Sequence, residues 1–497
     1  MAQFVKLNPS ELKALRTIDK RLISYNVEMT EVTGGTFWKA YTPEQILGIE
    51  EVPPVDVRSG GMHQWYDPID TTNPRLINLT KKLGPVWIRV SGTWATKTYY
   101  DFDGTTGGKA PAGYDSVLTK QQWLNLLDFA KAVDGKVLIS VANCEGLHSA
   151  EEPWNPSEAE KIFSLSKAYG VPISAAEFTN EPNVMSYTGF PAGYTPAHFR
   201  RDQDLFNSWV RENYPECLVV GPCTTDSSVL RMGPKSCGGV ADVLGGVGTD
   251  ELLEGCQVKM DVFSYHYYNG ISERMAAMLP DAHWQHSEAT SEAYLSVAGG
   301  CARGFAKFRD KYMPCAPMWV TESGDAGAGG NTWASTYTDV LRTLNEFGEF
   351  SCITDGVIFH NTLASSDYGY LKHGTFEPRP SYFAVLLWKA LMGETVYDSG
   401  EPIREGAHVY AHSRRDGKEG VAYLIINNSL TDPTTVELPK EAEVYSLNGK
   451  DGIRSLTMCL NGRELVLGEN DELPELTGMK ISGKVEVAPG SCTFIVI

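Results

Sequence analysis

The stretch Phe178-Thr179-Asn180-Glu181-Pro182-Asn183, led in by Val171-Pro172-Ile173 and Ser174-Ala175-Ala176-Glu177, decides the fold. A short, mostly apolar run that closes on a carboxylate and then a proline reads as a β-strand carrying an acid to its C-terminal tip. Met318-Trp319-Val320-Thr321-Glu322-Ser323-Gly324 repeats that texture far downstream. Acids placed in this way fit a (β/α)8 barrel, in which strand tips form the floor of the site.

Working outward, residues 21–28, 86–90 and 136–142 read as strands one to three, and the run from 171 as the fourth. Residues 218–222, 261–266, 317–321 and 355–360 supply the other four. Helical periodicity appears at 120–133, 158–169, about 290–310 and 382–391. Eight such alternations argue for a closed parallel barrel over 16–395. From 396 to 497 the texture changes to short strand runs (409–413, 420–427, 444–447, 484–487, 493–497) between Gly, Asn, Asp and Pro turns. That pattern predicts an antiparallel β-sandwich, joined by an edge strand from 1–15. The expected fold is therefore α/β, a TIM barrel with a C-terminal antiparallel β-sandwich domain.

The chain has 497 residues, 42% of them hydrophobic, with 43 basic against 62 acidic side chains and a net charge of −19. Such a balance opposes nucleic acid and anionic membranes as partners. No run approaches the ~18 apolar residues of a membrane span. The N-terminus shows no apolar signal core, and ten scattered cysteines form no Cys-x-x-Cys pair. Both features suggest a cytoplasmic location and reduced thiols. No His-Glu-x-x-His or zinc spacing occurs, no Gly-x-Ser-x-Gly elbow is present, and His283 with His286 reads as part of a solvated segment. Neither a metal nor a cofactor is expected.

Two carboxyl groups at one barrel mouth suit retaining glycoside hydrolysis: one protonates the leaving oxygen while the other attacks the anomeric carbon. In that reading Glu181 is the acid with a raised pKa and Glu322 the ionised nucleophile. Asn180, beside the acid, is placed to donate to a sugar hydroxyl. His266-Tyr267-Tyr268 ends strand six, and the preferred phenol against the nucleophile is Tyr267.

These residues resemble glycoside hydrolase family 79, the heparanase and β-glucuronidase family. The resemblance runs through Ile88-Arg89-Val90-Ser91-Gly92-Thr93, Asn180-Glu181-Pro182-Asn183 and Tyr265-His266-Tyr267-Tyr268-Asn269-Gly270. It continues through Thr321-Glu322-Ser323, Gly327-Ala328-Gly329-Gly330, and Tyr368 before Pro378-Arg379-Pro380-Ser381-Tyr382. It implies Glu181 as acid/base and Glu322 as nucleophile. It further implies that a uronate carboxylate is read by the N–H groups of about Ala328 and Gly329 and by the Tyr368 hydroxyl, with Glu28 binding distal sugar hydroxyls. The chain departs from the family pattern where Ser91 replaces a glycine, where Gly327 stands for an aromatic residue, and where Ala328 breaks the glycine run.

The implied activity is that of a retaining exo-β-glucuronidase. Its substrate would be a terminal glucuronic acid, or the 4-O-methyl form, on a small uronic-acid saccharide or glucuronide. The negative charge disfavours a long cleft on a sulfated polymer. A neutral-sugar β-glycosidase of the same clan and a non-catalytic carbohydrate-binding protein are the alternatives.

Overall fold

A computed structural model describes residues 3–53, 55, 61–225 and 246–497. Eight parallel strands close a barrel in chain order: Ile23–Glu28, Val86–Ser91, Gly135–Ser140, Ala175–Glu177, Leu218–Thr224, Val262–Ile271, Met318–Gly327 and Ile358–His360. The sixth and seventh run well past their expected ends because they pair with each other as far as Ile271 and Gly327. The fourth is short, so Glu181 sits in the loop beyond it rather than on its tip.

Period-two alternation builds the barrel interior in layers. Trp87, Leu138, Ala175, Val220, Val262, Trp319 and Phe359 form an apolar plug low in the barrel. Two residues on, the same inward faces carry Arg89, Ser140, Glu177 and Ser264, all fully buried. A polar layer thus lies over an apolar one.

The second domain packs a three-stranded sheet (Gln3–Lys6, Thr434–Glu437, Lys484–Val487) against a larger antiparallel sheet around His408–Arg414, Val421–Asn427 and Ser491–Val496. Val5, Val409, Tyr423, Ile425, Val436, Val485 and Ile495 fill the space between them. Lys13–Thr17 pairs with Met392–Asp398 at the edge of the larger sheet. The boundaries drawn from sequence at 15/16 and 395/396 therefore fall inside two strands of the accessory sheet. The opposite face of that sheet rests on the helix Thr338–Ile353, nearly all of whose residues are buried.

His283 does not lie on a solvated segment, and His286 is half-buried between the exposed Gln285 and Ser287. His283 is buried with Nδ1 3.1 Å from Ile271 O, and the His286 ring lies 5.4 Å from that of Trp333. No disulfide links the nine described cysteines, and Cys237 lies outside the described residues. Among the described residues no helix is long and apolar enough to cross a membrane.

Candidate active site

Both acids owe their aim to local backbone irregularity. Between Tyr265–Val320 and His266–Glu322 the pairing of strands six and seven slips by one residue, with Thr321 as the extra. Such a bulge turns the next side chain to the other face, so Glu322 points inward beside His266. Glu181 reaches the same point from a loop residue with φ of 43°, a left-handed conformation that costs a non-glycine residue ~1–3 kcal/mol. One carboxylate oxygen from each glutamate and a ring nitrogen of His266 lie within 4.8 Å of one another.

Arg89 organises this cluster from below. Its Nε donates to Glu177 Oε1 at 2.7 Å, one terminal nitrogen to Asn180 Oδ1 at 2.7 Å, and the other to Glu322 Oε2 at 3.2 Å. Burial would raise the pKa of Glu177, but Arg89 and the Cys223 and Ser140 hydrogen bonds hold it below the usual range. Arg89 also approaches His266 Nε2 at 3.3 Å. A guanidinium cannot accept, so Nε2 accepts and the proton sits on Nδ1. That N–H donates to Glu181 Oε1 at 2.9 Å. Burial lowers the His266 pKa to about 4, so the ring is neutral near pH 7.

The two glutamates are treated differently. Burial pushes the Glu181 pKa up to about 7, against a smaller opposing effect of Arg89. Glu322 accepts from Arg89 on one oxygen and from the Tyr268 hydroxyl on the other, with Asn361 Nδ2 at 3.4 Å. An acid that keeps its proton next to a carboxylate ringed by donors is the pairing that acid–nucleophile chemistry needs. The Glu181, His266 and Glu322 atoms could also ligate a cation, but Arg89 already supplies positive charge to Glu322.

Alternation decides which tyrosine takes part. His266 and Tyr268 share the inward face, so the expected phenol, Tyr267, points outward, donates to Asn269 and packs against Phe350. Tyr268 makes the contact with Glu322 instead. Arg89, Glu177, His266, Tyr268 and Asn361 were missed from sequence. Arg89, His266 and Tyr268 lie in stretches that carry the family resemblance and Glu177 in the run before Glu181, while Asn361 carries no local signal.

A cavity of about 340 Å³ opens above the pair, lined in part by Glu28, Asn180, Tyr268, Ala328, Asn361 and Tyr368. Glu28 ends strand one, and its Oε2 has no partner among the described residues. Burial, then the charge of Glu322, raises its pKa well above the ordinary carboxylate value. Gly92 admits this carboxyl: a Cβ there would stand 1.6 Å from Glu28 Oε2. The hairpin Gly35–Trp38 with His63–Tyr66, unforeseen from sequence, contributes Phe37, Trp38 and His63 to the wall.

Ala328, Gly329 and Gly330 take successive φ values of 65°, 91° and 83°. The Gly330 N–H donates to Ala326 O and the Asn331 N–H to Asp325. The N–H groups of Ala328 and Gly329 have no partner among the described residues. Tyr368, which packs beside Gly330 and also lines the cavity, accepts from Asn361 at 3.1 Å.

No protein-family model matches the sequence. Several curated relatives match most of its length. Heparanase-like protein 1 of Arabidopsis thaliana is 25% identical over 86% of this chain and 85% of its own. A hyaluronoglucuronidase of Hirudo nipponia is 24% identical over 86% and 90%. The chain is similar to heparanase and glucuronidase members of glycoside hydrolase family 79. It is a glycoside hydrolase. Among solved structures, a 4-O-α-L-rhamnosyl-β-D-glucuronidase of Fusarium oxysporum superposes with a TM-score of 0.64 over 99% of this chain and 100% of its own, at 12% identity, a likeness of fold.

Proposed function

We propose that the enzyme is a retaining exo-β-glucuronidase that removes a terminal β-linked glucuronic acid, or its 4-O-methyl form, from a glycan or small glucuronide. Glu181 gives its proton to the glycosidic oxygen as the Glu322 carboxylate attacks the anomeric carbon. The bond to the leaving group breaks, and a glycosyl ester on Glu322 forms. Glu181, now ionised, takes a proton from water, whose oxygen displaces Glu322 and releases the β-hemiacetal. The approach of the two carboxyl groups to within 4.8 Å supports retention, since retaining pairs stand ~5–5.5 Å apart.

The observation that carries the uronate reading is the pair of free N–H groups at Ala328 and Gly329 near Tyr368. Backbone donors and a phenol hold a carboxylate without a buried cation. The name of the Hirudo relative is consistent with it.

One observation favours a neutral sugar: among the described residues no Lys or Arg side chain lines the cavity, while Glu28, Glu181 and Glu322 do. Rates on aryl β-glucuronide, glucoside, xyloside and galactoside decide between them. Faster turnover of any neutral glycoside removes the uronate assignment. A carbohydrate-binding protein without activity is tested by Glu322→Gln, which abolishes turnover and leaves binding if the assignment holds.

A further inference from the structure

The turn Ser272-Glu273-Arg274 follows directly on strand six and grips the loop 327–332 from behind. The Ser272 N–H donates to Gly327 O at 3.0 Å and its hydroxyl to Ala328 O at 2.9 Å. Arg274 Nη1 donates to Ala328 O at 3.3 Å and to Gly330 O at 2.8 Å. The rest of the guanidinium holds Lys39 O and Asp367 Oδ2, and lies 3.8 Å from the centre of the Tyr41 ring. Glu273 completes the grip with 3.0 Å and 2.8 Å bonds from the Thr332 N–H and hydroxyl.

In a trans peptide the N–H points opposite to the C=O of the same unit. Holding the carbonyls of Gly327 and Ala328 at the back therefore turns the N–H groups of Ala328 and Gly329 the other way. A donor on a carbonyl also polarises its amide and strengthens that N–H. We propose that Arg274, together with Ser272, is a positioning residue for substrate carboxylate recognition, setting the direction and strength of the two N–H donors without touching the sugar. This rests on the glucuronidase reading. The guanidinium suits the task because its fork reaches three carbonyls and a carboxylate at once, which an ammonium cannot do.

Arg274→Met would strand Asp367 as an uncompensated buried charge, so the test uses Arg274→Lys, with Ser272→Ala as a second, milder variant. The readout is kcat/KM on 4-nitrophenyl β-glucuronide divided by that on the matching β-glucoside, with circular dichroism to verify folding. The ratio is expected to fall about tenfold in Arg274→Lys and several-fold in Ser272→Ala. Equal losses on both substrates, leaving the ratio unaltered, would overturn the role of Arg274 and Ser272. A wild-type ratio below one removes the glucuronidase reading itself, and this proposal with it.

Discussion

Burial raises the Glu181 pKa to about 7, and in the proposed mechanism this group sets the pH dependence of activity. The reactive form is the protonated one, populated below about pH 7 and lost above it. The kcat/KM profile should therefore fall on the alkaline side with a midpoint near 7. Glu181→Gln should remove that limb and cost ~10²–10⁴-fold on substrates with poor leaving groups. An alkaline limb that survives the substitution would assign it to another group. At this scale the sequence displayed the two glutamates and Glu28, each closing or interrupting an apolar run. It did not give the role of Arg89, a charged residue inside strand two. Its use depends on Glu177, Asn180, His266 and Glu322, contributed by other strands and loops. Tyr267 was preferred to Tyr268 because the parity of strand six cannot be fixed without knowing which face meets the helix.

Elements buried on one face announced themselves, and elements buried all round did not. The helix Thr338–Ile353 lies between barrel and accessory sheet, so it lacks the polar stripe that marks an amphipathic helix. Its Gly348 is where the sheet comes closest: a Cβ would stand 2.4 Å from the Tyr410 ring. That ring is fixed by its hydroxyl, which donates to Asn345 at 2.7 Å. Ala would gain ~1 kcal/mol of helix propensity, and overpacking costs ~1–3 kcal/mol. A ring held at both ends cannot yield, so the clash wins. Gly348→Ala should lower the melting temperature in calorimetry, and a rise would mean that the two layers are less tightly seated. The cavity-lining hairpin Gly35–Trp38 with His63–Tyr66 escaped notice for another reason: its two strands are only four residues each and far apart in the chain.

Over the whole molecule the accessory domain reaches back to the barrel mouth. Arg454 donates to Ile46 O at 2.6 Å, Gln45 O at 3.0 Å and Thr332 Oγ1 at 2.8 Å. Thr332 is also held by Glu273, so one side chain connects the second domain to the loop beyond Glu322. Arg454→Met should raise KM several-fold with kcat little changed, since the bonds it removes bear on the loop beyond Glu322 and not on the two carboxyl groups. A fall in kcat alone would place its effect on the chemical step. Eight alternating strands and the change of texture near 396 were readable because a barrel repeats one local rule, whereas the contacts that join its ends to the sandwich are long-range. The central claim is that Glu322 attacks the anomeric carbon from the side opposite the glycosidic oxygen that Glu181 protonates. Proton NMR of the first-formed product, before mutarotation, tests it most directly. The β-anomer is the predicted result, and the α-anomer would contradict the account.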